Sequence, residues 1–326
     1  MTRHAKAMRI HETGGPGVMR WEDVDLADPG PGQVVVRHTA VGLNYIDVNQ
    51  RAGAYPLPAL PVVLGMEGAG VVEEVGAGVA DFAVGDRVSY CMVLGSYATR
   101  RTIAADRLIR LDDRTADETA AAATLQGLTA RYLVRELYRV KPGDTVLVHA
   151  AAGGVGLLLC QWAKHLGATV LGTVGSAQKA ALAAARGCDH PIPYREIDFA
   201  AAALDLTGGR GVDVVYDAVG RDTFARGLDA LAERGWMVSY GQSSGPVPPL
   251  DTARLAAKAL NVTRGGLRLF VRDPAYRAET AADLFGLIAD GVLRVEINQR
   301  YPLAEAARAH ADLEARRTTG STILEP

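Results

Sequence analysis

Residues 146–156 read VLVHAAAGGVG: strand-forming residues, three alanines, then glycines at 153, 154 and 156. The stretch continues as LLLCQWAKHLGATVLGTVGSAQK. An apolar run, a small-residue turn and a second apolar run predict a buried strand, a tight loop and a buried helix. Between Ala150 and Gly156 the pattern is A-x-x-G-x-x-G. A helix opening there offers unpaired backbone N–H groups and about half a positive charge to an anion. Gly153 and Gly154 let the backbone approach that anion, and Gly156 lets the helix pack close to the strand. A pyrophosphate suits such a loop. Ala150 stands where the dinucleotide fingerprint has its first glycine, which predicts a slightly wider turn.

The choice of dinucleotide turns on an absence. The usual fingerprint places an acidic residue near the end of the second strand, where it hydrogen-bonds the adenosine ribose. No Asp or Glu occurs from Val155 to Cys188; Val174, Gly175 and Ser176 stand at the expected place, with Lys179 one helical turn on. A carboxylate ~4 Å from a 2′-phosphate would repel it by about 4 kcal/mol per unit charge at an effective dielectric of ~20. A charge-assisted hydrogen bond from Lys179 contributes ~1.5–3 kcal/mol in the opposite sense. These residues point to NADP(H), although Lys179 also reads as a solvated helix lysine.

The rest of the chain sets bounds on this reading. Its 326 residues suit two domains. It is 48% hydrophobic and 22% charged, with 35 basic and 37 acidic side chains and a net charge of −2. That balance gives no electrostatic reason to expect nucleic acid or an anionic membrane as partner. Cys91, Cys160 and Cys188 are scattered and show no C-x-x-C spacing, so they read as buried thiols in a reducing compartment. MTRHAKAMRIHETGG lacks the apolar core of a signal peptide. Thr145 to Ala163 carries no formal charge, but its glycines, His149 and Gln161 argue against a spanning helix. A cytoplasmic protein is expected.

Before about residue 125, short β-branched runs alternate with turn signals. QVVVRHTAVG, GAGVVEEVGAGV and GDRVSYCMV predict strands of a mostly antiparallel, barrel-like domain. After Asp117, ADETAAAATLQGLTARYLVREL places Leu125, Leu128, Tyr132 and Leu133 at helical spacing. From Thr145 to about Gly241 strands alternate with helices, the pattern of βαβ units and a parallel sheet. Beyond Leu267, Asp273 and Pro274 begin a helix that Gly291 follows, a second helix runs through PLAEAARAHADLEARR, and STILEP closes the chain as a strand. Gly265 to Val271 reads either as an edge strand that pairs across a two-fold axis or as an internal strand.

HAAAGGVGLLLCQWAKHLGATVLGTVGSAQK, LGMEGAGVVEEVG and VVYDAVGRDTF together resemble the zinc-free quinone oxidoreductases, the zeta-crystallin-like branch of the medium-chain dehydrogenase/reductase superfamily. The likeness runs from HETGGPGVM to RRTTGSTIL. It implies an α/β protein: a GroES-like β-rich catalytic domain from residues 1–126 and 267–326, and a Rossmann doubly wound parallel sheet over 127–266. It further implies NADPH in the cleft between the two domains, and a homodimer. By motif, its phosphate loop matches Ala152, Gly153, Gly154, Val155 and Gly156. Its 2′-phosphate pocket matches Gly175, Lys179, Tyr194 and Arg316. The nicotinamide side matches Asn44, Tyr45, Asp47, Thr129, Gly241, Gln242, Ser243, Thr263, Arg264 and Gly265. Plain alternatives stand beside these: an internal helix hydroxyl for Thr129, a half-buried ring for Tyr194, a helix C-terminal arginine for Arg316.

Zinc-dependent relatives have a cysteine in G-x-C-x-x-D and a histidine in G-H-E; here Asn44 and Met66 occupy those places. An amide and a thioether do not replace the thiolate and imidazole that catalytic zinc prefers. Three cysteines also cannot build a four-cysteine structural lobe. No metal is expected, and Asp47 and Glu67 read as hydrogen-bonded structural acids. Without a Lewis acid the chemistry moves away from alcohol oxidation and toward quinones, which need mainly proximity and a hydrogen bond to the developing oxyanion. Asn44 and Tyr55 are the candidates to orient that acceptor, with loop packing the other reading of Tyr55. His149 reads as packed. The expected activity is NADPH-dependent reduction of a quinone or other small electrophilic acceptor. The alternatives are an NADPH-dependent reductase of α,β-unsaturated carbonyls and, outside catalysis, an NADPH-sensing or RNA-binding protein.

Overall fold

The computed structural model of the chain describes residues 3–326. They form two compact units. The first takes in the chain as far as Gln126, and Val271–Ala289 and Val295–Pro326 return to it. The second comprises Gly127–Phe270 and Asp290–Arg294. The return thus falls at Val271, later than residue 267, and a short piece beyond it sides with the second unit.

In chain order the first unit contributes β1 (Arg3–Ile10), β2 (Met19–Leu26), β3 (Gln33–Leu43), α1 (Tyr45–Arg51), β4 (Val62–Val63), β5 (Glu67–Val75), β6 (Arg87–Cys91), β7 (Arg100–Ala104), β8 (Ile109–Arg110) and the start of α2 (Asp117–Tyr132). The second follows with β9 (Thr145–Val148), α3 (Gly154–His165), β10 (Thr169–Val174), α4 (Ala177–Ala184), β11 (His190–Pro193), α5 (Phe199–Leu206), β12 (Val212–Asp217), α6 (Phe224–Ala230), β13 (Leu231–Ser239), α7 (Ala253–Ala256), β14 (Asn261–Arg264) and α8 (Leu267–Val271). The return carries α9 (Pro274–Ala289), β15 (Ile297–Pro302), α10 (Ala306–Glu314) and β16 (Ser321–Glu325).

In the first unit β1 lies between β2 and β4, while the larger sheet runs β15-β16-β3-β5-β6-β8 with β7 also on β3. Every pairing there is antiparallel except β15 with β16. The Val-rich β3 is its spine: Val34, Val35, Val36, Ala40 and Val41 expose nothing to solvent. Full burial of the valine side chains contributes about 1.5–3 kcal/mol each.

The second unit holds a six-stranded sheet in the order β11-β10-β9-β12-β13-β14, every neighbour parallel. The winding reverses between β9 and β12, so the crevice of the switch point opens at the carboxyl ends of these strands. The uncharged run Thr145 to Ala163 is β9, a turn, and most of α3, whose residues Gly156 to Ala163 are all buried. Gln161 survives burial because it bonds the Leu157 and Arg294 carbonyls and the Arg294 N–H. No helix among the described residues is long and apolar enough to cross a membrane.

Gly265 to Val271 is not a strand of either kind. The ladder ends at Arg264, making β14 the sheet edge, and after Gly265 and Gly266 the chain turns into α8. Leu267 and Val271, one helical turn apart, are buried while Leu269 between them is 66% exposed; an alternating strand would put all three on one face, and a helix separates them. Past Tyr132, α2 ends in a π turn, Leu133–Leu137.

Candidate functional site

The glycine loop leaves the carboxyl end of β9, and Gly153 caps α3 with extended backbone. Ala150 adopts a left-handed conformation, φ 54°. The turn is therefore not widened, as the missing first glycine had suggested: Ala150 takes the backbone shape a glycine would have taken, and its carbonyl accepts from the Gly153 N–H at 2.9 Å. A Cβ on Gly156 would stand 2.3 Å from the Ala150 oxygen and 2.9 Å from Ala151 backbone atoms. Only glycine permits that approach of α3 to the strand, which leaves the first-turn N–H groups of α3 to meet an anion. The loop fits a pyrophosphate.

β10 ends at Val174, and Gly175 leads to Ser176, whose Oγ caps α4 by accepting from the Lys179 N–H at 3.3 Å. β11 lies alongside with Pro193 opposite Val174. Its exit brings Tyr194 to Gly175, where a Cβ would be 3.2 Å from the phenol oxygen. Tyr194 is 37% exposed. Tyr194, distant in sequence, thus shares one corner of the second unit with Gly175 and the start of α4 that carries Lys179.

Further along the same sheet edge, Ser239 and Arg264 stand opposite each other on β13 and β14. Arg264 donates to Ser239 Oγ at 3.4 Å and to Gln242 Oε1 at 3.0 Å, gathering the segments around Gly241–Ser243 and Thr263–Gly265. The sequence reading passed over the residue that holds this corner, Asp217. Fully buried at the end of β12, it accepts at Oδ1 from the Val219 and Gly220 N–H groups and from Thr223 Oγ1, at 2.7, 3.0 and 2.9 Å. An acid that ends a strand ahead of A-V-G was the available signal. His149 is packed as expected, with Nδ1 3.0 Å from Thr173 Oγ1 and the ring edge-on to Phe199. Burial lowers its pKa. Thr129, on α2, is buried in the same unit.

In the first unit Asn44 caps α1 in a reciprocal box with Asp47. Its Nδ2 donates to Glu67 Oε2 at 2.7 Å, and Gln126 Nε2 donates to its Oδ1 at 3.3 Å. The other Glu67 oxygen accepts from the Leu125 N–H at 2.6 Å. Asp47 Oδ2 accepts from the Asn44 N–H at 2.9 Å and from the Tyr97 hydroxyl at 3.1 Å. Tyr97 in turn meets His310, and Arg51 clamps Glu314 with two hydrogen bonds. Burial pushes Asp47 up to about 7 and Glu67 up to about 8. Tyr45, at the start of α1, is pushed up by burial and by Glu314, against Arg316 and Arg51. Arg316 follows the end of α10 in a left-handed conformation, φ 59°, and belongs to the first unit. It therefore lies beyond the helix, not in its last turn. Tyr55 sits past the far end of α1 from Asn44, with its N–H on the Asn49 carbonyl.

The metal question is one of donor chemistry. Asn44 and Glu67 are spent on each other, and Met66 Sδ accepts from Gln50 Nε2 at 3.5 Å. An amide and a thioether do not supply the thiolate and imidazole that zinc prefers, and Glu67 is already engaged through both oxygens. Among the described residues no group of three or more His, Cys, Asp or Glu is placed to hold a metal ion.

A β-rich unit built from both ends of the chain and a 3-2-1-4-5-6 parallel sheet with its glycine loop define a two-domain dinucleotide-dependent dehydrogenase or reductase. Two family models match: the alcohol dehydrogenase GroES-like domain over residues 30–134 and the zinc-binding dehydrogenase over 154–283. The chain is 49% identical to a quinone oxidoreductase of Pseudomonas aeruginosa, over 99% of this chain and 100% of that one. It is 44% identical to a 2-haloacrylate reductase of a Burkholderia species, over 97% and 98%. Its fold matches the crystal structure of Escherichia coli quinone oxidoreductase complexed with NADPH at a TM-score of 0.96 and 46% identity, over 98% and 100% of the two chains. The chain belongs to the quinone oxidoreductases, in the zeta-crystallin-like branch of the medium-chain dehydrogenase/reductase superfamily.

Proposed function

We propose that this protein is an NADPH-dependent, zinc-independent quinone oxidoreductase. The observation that carries the reading is the corner after β10: a phosphate loop on α3 beside a turn with no carboxylate and with Lys179 in the first turn of α4. The N–H groups opening α3, with Ala152 to Gly156, hold the pyrophosphate. Lys179, Tyr194, Gly175 and Arg316 take the 2′-phosphate. Tyr45, Asp47, Thr129 and the segments Gly241–Ser243 and Thr263–Gly265 serve the nicotinamide side. Asn44 and Tyr55 orient the acceptor. NADPH, when bound, supplies the reducing equivalents, and an electron-poor quinone accepts them without a Lewis acid. A homodimer and a cytoplasmic location complete the proposal. The outer edge of β14, which has no strand partner among the described residues, is consistent with assembly.

A second reading is reduction of α,β-unsaturated carbonyls, favoured by the 44% identity to the 2-haloacrylate reductase. One assay series separates them: oxidation of NADPH and NADH with 1,4-benzoquinone, larger quinones and a panel of enones. Turnover confined to enones transfers the assignment to the second reading. Failure with every acceptor removes both.

A further inference from the structure

A cavity of about 470 Å³ lies within the first unit, and its lining shares no residue with the Asn44–Glu67 cluster. That volume is in the range of small-molecule sites, roughly 300–1,000 Å³. One wall is α9, which lines it with Pro274, Ala278, Ala282 and Gly286, four residues apart along one face. Phe82, Leu108, Ile109 and Phe285 supply apolar surface opposite and beside it.

The cavity also holds charge, distributed unevenly. Arg114 pairs with Asp112 at 3.1 Å, and Arg110 with Asp86 at 2.7 Å while lying over the Phe82 ring. Asp106 pairs with Arg107 at 3.5 Å, and Asp81 is exposed. Of the cavity's arginines, Arg277 alone is deep and without a direct ion pair; the carboxylates of Asp106 and Asp273 act on it only through space. It is 4% exposed, donates to the Val271 and Asp106 carbonyls, and makes no ion pair among the described residues. Two carbonyls use two of its five N–H groups and neutralise none of its charge. Burial, and then the Arg107 guanidinium, push its pKa below the ordinary arginine value, against Cys91, Asp106 and Asp273, which raise it.

We propose that this cavity binds an organic carboxylate with an apolar body, the carboxylate on Arg277 and the hydrocarbon along α9. The small residues of α9 leave the room, and the aromatic and aliphatic side chains remove the hydrocarbon from water. A carboxylate supplies the directly bonded anion that Arg277 lacks, by charge-assisted hydrogen bonds.

The test is calorimetric titration of the full chain with octanoate, octanol and octylammonium. Octanoate is expected to bind saturably at one site, and the other two at least about tenfold more weakly, as the loss of a charge-assisted bond implies. The Ala278→Leu/Ala282→Leu double variant, which fills the cavity from exposed helix positions, should weaken octanoate by at least about tenfold while NADPH-linked quinone turnover stays unchanged. Arg277→Lys should retain the preference for octanoate over octanol, and Arg277→Met should abolish it. No saturable octanoate binding, equal binding of octanol, or octanoate binding indifferent to the double variant would each overturn the proposal. Should Arg277→Met fail to fold, the double variant and the alcohol comparison decide it.

Discussion

Asn44 Nδ2 and Glu67 Oε2 meet at 2.7 Å in an interior from which Glu67 is wholly shut off from solvent. Asn44, at the place where zinc-dependent relatives have a cysteine, is here turned toward a carboxylate. The pair is part of a buried network through Asp47 and Tyr97 to His310, and through Gln126 to Ser321 of the closing strand β16. Residues from both ends of the chain are thereby held in one polar core.

That core makes stability depend on pH. Asp47 and Glu67 are raised to about 7 and about 8, so the folded state keeps protons that the unfolded chain releases near its ordinary carboxyl values. Their contribution is full at low pH and is lost as pH rises through 7 and 8, by up to about 1.4 kcal/mol per unit per group. His38 and His310, lowered by burial to about 4 and about 3, act in the opposite sense, but only below the ordinary histidine value of 6.5. Between pH 6.5 and 8.5 only the carboxyl trend survives. Thermal denaturation should show a Tm that falls across that window, and Glu67→Gln should flatten the fall; a flat wild-type profile would refute it.

Gly42 lies against the same acid. A Cβ there would stand 2.2 Å from the Ala121 carbonyl and 2.4 Å from Glu67 Oε2, and the carbonyl cannot move without α2. Gly42→Ala is expected to destabilise the protein by about 1–3 kcal/mol, read from denaturant midpoints.

At the phosphate loop two substitutions should move in opposite directions. Ala150→Gly relieves a left-handed alanine, a strain of ~1–2 kcal/mol, against ~0.4–1 kcal/mol of added unfolded-state entropy. A small net stabilisation follows, with NADPH affinity retained. Gly156→Ala drives a methyl group into the Ala150 oxygen and should weaken both NADPH binding and stability, followed by cofactor fluorescence and chemical denaturation.

Lys179→Ala tests the coenzyme preference directly. Loss of one charge-assisted bond should weaken NADPH by roughly 10–150-fold while NADH is little changed. Equal losses for the two coenzymes would remove Lys179 from the phosphate pocket.

Much of the second unit was legible locally. Strand and helix periods in VLVHAAAGGVGLLLCQW, and the missing acid before Cys188, are properties of neighbouring residues, and neighbours set backbone geometry and local charge. The same local signs misread Gly265–Val271, because Leu-Arg-Leu-Phe-Val suits a strand as readily as a helix until the exposure of Leu269 between buried Leu267 and Val271 chooses the helix. They also predicted a widened turn at Ala150, where the surrounding hydrogen bonds instead hold an alanine in a glycine's conformation.

Sequence alone determined that the chain alternates strand and helix around a glycine-rich loop, and that no acidic residue follows that loop before Cys188. Only tertiary structure decided what Asn44, Asp47 and Glu67 do, because their partners Leu125, Gln126 and Tyr97 lie tens of residues away. The same holds for Arg277, which has no direct ion pair because the fold engages the neighbouring acids with other arginines. A hydrogen bond or an ion pair is set by distance in space, and neither composition nor spacing records that distance.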